Sequence, residues 1–399
     1  MLASFAQGAI LDLGGTNVTL HATNVLRTAT VLVNGTCTAT NGQTFLSFPT
    51  GTVMVASGAR LVFPAEPNKN VFHNFSTGYT ELRADGGEIE LNSWREEENS
   101  GHLWAYALYK DVEAVIDVRN DGYFHYTKPG GPVLTRYYFI LGYVRGNDVP
   151  VGILRGVDAP NRGFDFAGRL CTGWGAYAGI YCTNTLFRAE NIVFGGVVPV
   201  KGGGYSEVVF AGGSMVETKG FCDGITESSA DVFFDGATVR VRPTAADDAL
   251  NAQTNFFGAA EGRIAYWLGP EGLTFDNAGN DVTIATTVAG SGGIVFCGAG
   301  ETRLTAPQAY TGATVVVGGA FRPRRDLVFA GPVVVRDEAA LERPPIPSDR
   351  NHVRLFWAAA FEGLSGRKDA TGCHYFTLPG RYGMELHWGR RPGTQIKLR

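Results

Sequence analysis

Short runs of alternating apolar and polar residues, broken by glycine, recur along the chain. Residues 47–56 read SFPTGTVMVA, 83–92 RADGGEIELN, 209–218 VFAGGSMVET, 233–242 FFDGATVRVR and 328–337 VFAGPVVVRD, and 275–286 (FDNAGNDVTIAT) are a looser copy. Each copy is an apolar strand end, a Gly-containing turn and a strand with period-two alternation. Glycine supplies the positive φ of a tight turn, and β-branched residues fit a pleated strand. The densest instance is 290–319, GSGGIVFCGAGETRLTAPQAYTGATVVVGG, which has paired glycines, short strands and no helical period. A chain that turns this often builds coils rather than a long-stranded sandwich.

Intervals of roughly 20 to 40 residues between copies fall in the range of solenoid repeats. One coil of short strands cannot bury its apolar side alone. A second coil, about 4.8 Å along the axis, covers it and completes its backbone hydrogen bonds. Every second Val, Ile, Leu or Phe then points inward. The pattern predicts an all-β, right-handed parallel β-helix over 1–345, with about a dozen coils of roughly 25 residues. Aromatic residues crowd into 94–182 and predict wider coils, or coils with long loops. Two stretches, 94–115 and 245–268, carry a weak helical pattern and are read as short helices or decorating loops.

Beyond a Pro-rich joint at 342–349 (ERPPIPSD) the pattern changes. A strand at 353–361 is expected, then two antiparallel strands at 383–388 and 394–398 joined by a turn at 389–393. Residues 346–399 would form a C-terminal β-hairpin cap over the unpaired edge of the solenoid.

Composition fits this picture. The chain has 399 residues, of which 54 are Gly, and only 18% are charged, so Ser, Thr, Asn and Gly carry the polar load. That balance suits an extracellular all-β protein. A hydrophobic share of 44% excludes a disordered chain. The net charge of −4, with no basic stripe beyond 322–325 and 390–391, argues against a nucleic-acid partner. No apolar run reaches the length of a membrane helix. The start, MLASFAQGAILDLGG, lacks the basic and apolar regions of a signal peptide. The chain is therefore expected to be part of a longer or surface-anchored architecture. None of the six cysteines sits in a zinc-type pair. Cys171 and Cys182 flank a loop and are candidates for a bridge, the alternative being that most cysteines are small inward residues.

The stretch 290–319 also resembles a known family. Gly290, Gly292, Gly293, Ile294 and Phe296, then Gly298-Ala299-Gly300, Leu304, Tyr310-Thr311-Gly312, Thr314, Val315, Val317 and Gly318-Gly319 resemble the autotransporter-associated β-strand repeat. Gln308-Ala309 stands where that pattern has Asn-Thr, Arg303 interrupts its Thr/Leu strand, and Cys297 replaces a Lys or Thr. The resemblance implies a passenger-like β-helix that is secreted or displayed at the cell surface, associated with the outer membrane, and used as a stalk or adhesin. Its motif residues here are Gly292, Gly293, Gly298, Gly300, Gly312, Gly318 and Gly319. It brings no catalytic residue, cofactor or metal.

Catalysis on polysaccharides demands particular side chains. A glycoside hydrolase needs two carboxylates facing across a groove, and a lyase a base with a charge neutraliser. Asp247 and Asp248 are adjacent, but no Gly-His-Gly or Arg-x-Lys partner follows them. Asp117, Asp121 and Asp165 fall near the aromatic-rich coils, and Glu96, Glu97 and Glu98 read as a solvated loop. None of the seven histidines lies in a nucleophile or metalloprotease motif, and the glycine runs lack a phosphate-loop context. His125 reads as a strand residue. No catalytic residue is assigned. Aromatic faces on stacked strands would suit sugars, and the candidate carbohydrate-binding residues are Trp94, Trp104, Tyr106, Tyr123, Tyr126 and Trp174. The expectation is a non-catalytic structural or adhesive module contacting polysaccharide or host-surface glycan. The alternative is a polysaccharide lyase or glycoside hydrolase on the same fold.

Overall fold

The computed structural model describes residues 10–12, 18–20, 30–39, 51–63, 78–92, 102–106, 112–127, 137–143, 151–195, 203–224, 228–243, 255–258, 263–337 and 340–392. Among these residues the regular elements are strands, with no α-helix. The contacts divide the chain into two units. The first comprises 1–233, 244–252 and 258–265, and the second 234–243, 253–257 and 266–399.

In the first unit three short strand segments follow one another and then stack on the next three. One set is Val112–Arg119, Tyr123–Thr127 and Tyr137–Tyr143. The next is the two halves of Val151–Phe166, then Arg169–Trp174, and after it the two halves of Tyr177–Ala189, then Ile192–Phe194. Every ladder between these sets is parallel, and residues stand directly over counterparts such as Glu113, Val151, Tyr177 and Tyr205. This parallel stacking is consistent with a β-helix. The coil length drifts, because Glu113 pairs with Val151 but Val151 pairs already with Tyr177. The expected insertions therefore lie between strands and leave their register intact.

The bend between the first and second strand of a coil uses left-handed backbone. Asn120 (φ 52°), Asp121 (φ 55°), Asp158 (φ 51°) and Asn184 (φ 47°) adopt it, and Gly86 and Gly212 stand at the same bend in other coils. Asn and Asp tolerate this conformation because their short polar side chains bond locally. Here they also bond between coils. Asn120 Nδ2 donates to Asp85 Oδ1 at 2.7 Å, Asn161 Nδ2 to Asp121 Oδ2 at 3.0 Å, and Asn184 Nδ2 to Asp158 Oδ1 at 3.0 Å. The Gly turns of 83–92, 209–218 and 233–242 are these bends, whereas the turn in 275–286 lies between the strands Leu273–Asp276 and Val282–Ile284, and Gly51 opens the strand Gly51–Val55.

Inward positions build a stack of rings. Phe124, Phe164, Phe187 and Phe210 follow one another at centroid distances of 6.1, 5.7 and 5.3 Å, and none is accessible to solvent. Edge and tilted contacts of this kind add about 0.5–1.5 kcal/mol per pair beyond area burial.

The second unit repeats the scheme with shorter coils. Ile294 pairs with Thr314, and Thr314 with Val333, so a coil here takes about 20 residues. In 290–319 the strands are Ile294–Cys297, Glu301–Leu304, Ala309–Tyr310 and Thr314–Val316. A Cβ at Gly312 would stand 2.4 Å from the Gly292 and Gly293 backbone, and one at Gly293 2.1 Å from Ala313 O. Backbone packs on backbone at that bend, and any side chain would part the coils. Gly292 and Gly300 are equally crowded, and Gly298 and Gly319 have positive φ. Gly318 has room for a methyl group. Gln308, the departure from the repeat pattern, accepts from Val288 N–H and donates to the carbonyls of Thr286 and Ala306, so its amide seals a backbone gap.

The structure corrects two expectations from the sequence. Residues 264–268, read within a weak helical pattern, form the strand Ile264–Leu268, whose residues alternate inward and outward. Residues 112–115, at the end of the other weak helical pattern, open the strand Val112–Arg119, as the alternation of 112–118 (VEAVIDV) already indicates. In both places a period of two wins because the neighbouring coils supply a ladder. At the C-terminal end, Gly383–Gly389 pairs antiparallel with His374–Gly380 and with His352–Ala358. The turn of the hairpin is Arg381-Tyr382, not 389–393, and 394–398 lie outside the described residues. Pro379 hides this strand from sequence reading, although proline is tolerated on an edge strand.

All six cysteines are free thiols, Cys171 and Cys182 included. Burial pushes the Cys37 thiol up to about 11 and raises Cys171 and Cys182 well above the usual thiol range. A thiol reagent at pH 8 should therefore label Cys222 and, more slowly because burial also raises its thiol, Cys297 in the native protein, and the remaining four only in denaturant. Fewer than six labelled thiols in denaturant without reductant would contradict the free-thiol assignment.

Candidate functional site

Strands stacked in register turn outward positions into rows that cross the coils. On the first strands of the coils one row is built by Arg83 over Asp117 over Arg155 over Tyr181. Asp117 is completely buried although it points away from the core. Its cover is cationic. Arg119 donates from Nε and Nη2 at 2.6–3.0 Å, and Arg83 and Arg155 approach within 3.8 and 3.7 Å. Glu81, 2% exposed, accepts from Arg83 at 2.7 and 3.0 Å and from the Thr52 hydroxyl at 3.1 Å. Asp117 fixes the proton on Arg119 further, raising its already high pKa through these hydrogen bonds. Two carboxylates beside arginines would suit polysaccharide chemistry if an oxygen were available to act as a base. Here guanidiniums clamp both carboxylates, so the cluster acts as a brace.

Three tyrosines continue this face. Tyr177 pairs with Tyr205 on the next coil, and their rings lie 5.9 Å apart. The Tyr181 hydroxyl meets that of Tyr177 at 2.6 Å, and both reach Glu207 Oε2, at 3.1 and 2.9 Å. Gly179 makes this possible, because a Cβ there would stand 2.5 Å from the Tyr181 ring. The Tyr205 hydroxyl donates to Asp231 at 2.8 Å, and the residue is 37% exposed. Burial, followed by the hydrogen bonds, pushes Tyr205 up to about 12 and Tyr177 higher still. The hydroxyls therefore stay protonated at neutral pH and act as donors, not as a phenolate base. The arrangement offers half-buried ring faces with carboxylate acceptors along one edge, the chemistry that sugar hydroxyls and C–H faces require.

The second strands carry two outward columns, Arg60 over Glu88 over Tyr123, and Glu90 over His125 over Asp165 over Arg188 over Glu217. The ligand atoms of Glu88, Glu90 and His125 lie within 4.8 Å of one another, a spacing a metal ion could use. Arg60 pairs with both acids, however, and Arg162 Nη2 lies 2.6 Å from Glu88 Oε2. Those guanidiniums already neutralise the oxygens, and the cluster reads as an ion-pair network. Burial opposes the charge on Glu88, but Arg162, His125 and Arg60 outweigh it and hold its pKa below the usual carboxylate value. Burial also lowers His125, with Glu88 only partly compensating.

The residues proposed from sequence for sugar contact are dispersed. Tyr123 faces outward, stacked on His125 at 4.4 Å with its hydroxyl 3.2 Å from Asp165. Tyr126 and Trp174 are 2% and 3% exposed and present no ring face to a ligand. Trp104 and Tyr106 lie in the strand His102–Tyr106, but their side chains lie outside what is described, as does Trp94 altogether. The row of Tyr177, Tyr181, Tyr205 and Glu207 was missed. Its signal was present as Tyr177 and Tyr205 each opening an alternating strand, but the pairing depends on coil lengths that the sequence does not state.

Two measurements test the electrostatic brace. Asp117→Ala leaves three arginines facing one carboxylate and should lower the unfolding free energy by about 3 kcal/mol, measured by urea titration. A loss below about 1 kcal/mol, the scale of an exposed pair, would contradict the brace. Acid should also weaken the fold in two steps. The unfolded chain takes up a proton at His125 below about pH 6.5 that the folded chain resists. Glu88, lowered in the fold, gives up its contribution as pH drops through the carboxylate range. His125→Gln should flatten the step between pH 7 and 5.5 in melting temperature, and an unchanged step would refute the assignment.

In comparisons with known proteins, no protein family, no curated protein and no solved structure matches this chain.

Proposed function

We propose that the chain is a non-catalytic structural or adhesive module of a secreted or cell-surface, outer-membrane-associated protein. It is a right-handed parallel β-helix with a C-terminal β cap at 346–399, and it holds glycan on the tyrosine row of its first unit. The observation that carries the proposal is the register of Tyr177 with Tyr205, whose neighbours Tyr181, Glu207 and Asp231 complete a ring-and-carboxylate surface. Supporting it, Glu81 and Asp117 on the preceding coils are held by arginines, and Glu207 and Asp231 in the row itself accept from tyrosine hydroxyls. The resemblance of 290–319 to the autotransporter-associated β-strand repeat supports the stalk-like role and the surface location.

A panel of neutral and acidic polysaccharides and host glycans, immobilised and probed with the full chain, tests the proposal. Tyr205→Ala should reduce retention on the bound glycan about tenfold, the scale of one lost aromatic stacking contact. Tyr382→Ala, an exposed tyrosine of the second unit, should not change it. No retention on any glycan would overturn the glycan part. Release of unsaturated or new reducing ends from a polysaccharide would replace the scaffold reading with the enzymatic one.

A further inference from the structure

The second unit carries a cleft of about 470 Å³, open to solvent and lined by three arginines, two histidines, an asparagine and a single apolar residue, Val353. The strands His352–Ala358 and Gly383–Gly389 supply most of it. In the antiparallel register Arg354 faces His387, and His352 faces Gly389. A Cβ at Gly389 would stand 2.6 Å from His352 Cα, so a bare glycine leaves the space into which the imidazoles turn. The His352 and His387 rings meet edge to face at 4.9 Å.

The cations of the cleft are loosely paired, and Arg354 also stacks over the Trp357 ring at 3.7 Å. Among the described residues, Arg325, Arg350 and Arg354 reach carboxylates only at 3.9, 3.8 and 3.7 Å, beyond hydrogen-bond length. Their side chains are 54%, 70% and 42% exposed. The histidines are unsatisfied as well. His387 is 5% exposed, its Nε2 lies 3.0 Å from Glu385 Oε2, and its buried Nδ1 has no partner. The buried Nδ1 of His352 also has none. A buried polar atom without a partner costs about 1–3 kcal/mol, and such atoms are rare in native folds. Glu385 is fixed in turn by the Trp357 indole N–H at 2.9 Å, so it orients His387 while staying 3.7 Å from Arg354.

We propose that this cleft binds an anionic sugar unit, a uronate or sulfate ester within an acidic polysaccharide, with Arg325, Arg350 and Arg354 on the oxyanion and the imidazoles of His352 and His387 beside it. Guanidinium forks match the planar pair of oxygens on a carboxylate or sulfate. The volume falls within the range of ligand pockets, about 300–1,000 Å³, and far exceeds a bare oxyanion. The lining is too polar for a lipid chain or an apolar ligand. Because the cleft is open, a ligand that continues beyond it is accommodated. The inference rests on residues of the second unit alone and does not depend on the tyrosine row.

Proton linkage follows from the neighbours of His387. Burial lowers its pKa first, and the adjoining His352 and Arg354 add to that effect, while Glu385 opposes it. His374, on the strand at the other side, sends its ring against Phe376, which stacks on His387. Asp349 and Glu342 sit beside Arg350 and Arg325. An anion in the cleft favours the charged form of His387, so binding should tighten as pH falls from 8 to 6, where sulfate and carboxylate ligands remain ionised.

Calorimetric titration of the full chain with a sulfated hexasaccharide, a polyuronate hexasaccharide and inorganic sulfate tests this. At least one hexasaccharide should bind more tightly than inorganic sulfate, and more tightly at pH 6 than at pH 8. Arg350→Ala and Arg325→Ala should each weaken it about tenfold, whereas Arg324→Ala, a neighbouring exposed arginine outside the cleft, should not. His387→Gln should diminish the pH dependence, with melting curves confirming that each variant folds. Equal affinity for inorganic sulfate would reduce the site to a free-oxyanion site and overturn the polysaccharide assignment, as would tighter binding of duplex DNA. No binding, or binding indifferent to Arg350 and Arg325, would overturn the cleft. Tyr205→Ala should leave these titrations unchanged, so failure here and failure of the tyrosine row are separately visible.

Discussion

Parallel, in-register stacking is the constraint from which the other features follow. Each strand residue stands over one counterpart on the coil before and one on the coil after, as Val151 stands between Glu113 and Tyr177. A backbone laid out this way satisfies its own ladder only if every coil returns to the same position. The bends enforce that return. Left-handed Asn120, Asp158 and Asn184 repeat at the same bend, and their side chains tie one coil to the next. Length can then be inserted elsewhere in a coil without disturbing the core.

Stacking also puts like environments in rows, with opposite consequences inside and outside. Inside, rows of phenylalanine reinforce one another because apolar contact is additive and indifferent to sign. Outside, a row of identical charges would repel across about 4.8 Å. The sequence answers with alternation of sign from coil to coil, Arg60 beside Glu88, Asp165 beside Arg188, and Arg188 beside Glu217. Asp117 takes this furthest. Three arginines close over it so fully that an outward-facing carboxylate is buried without a hydrophobic lid.

The parts of the fold that were legible in the sequence are those governed by local chemistry. A Gly or Asn-Asp bend between alternating strands is written in four or five residues, which is why residues 83–92 and 209–218 could be read as strand, turn and strand. The stretch 290–319 was legible for a sharper reason, since Gly312 and Gly293 must be glycine where two backbones touch. What depends on coil length was not legible. The rings of Tyr177 and Tyr205 meet because that coil closes at one length and not another, and no residue in between encodes the sum. The same holds for the direction of a ring. Tyr126 and Trp174 belong to the same aromatic-rich stretch as Tyr177, yet parity along the strand sends Tyr126 into the core and Tyr177 outward.

The C-terminal sheet departs from this logic, and its unsatisfied groups follow from the departure. Antiparallel strands place Arg354 and Phe376 on either side of His387, so unlike residues become neighbours. No stacking rule forces the charges there to alternate or cancel. A parallel coil that placed Arg325, Arg350 and Arg354 together would have had to answer them with acids on the adjoining coils, as the first unit does for Asp117 in reverse. In the C-terminal sheet the nearest carboxylates stay beyond hydrogen-bond reach, and one of them, Glu385, is committed to His387 and Trp357. The loose pairing of these arginines, each with a carboxylate 3.7 to 3.9 Å away, is therefore a property of the local topology.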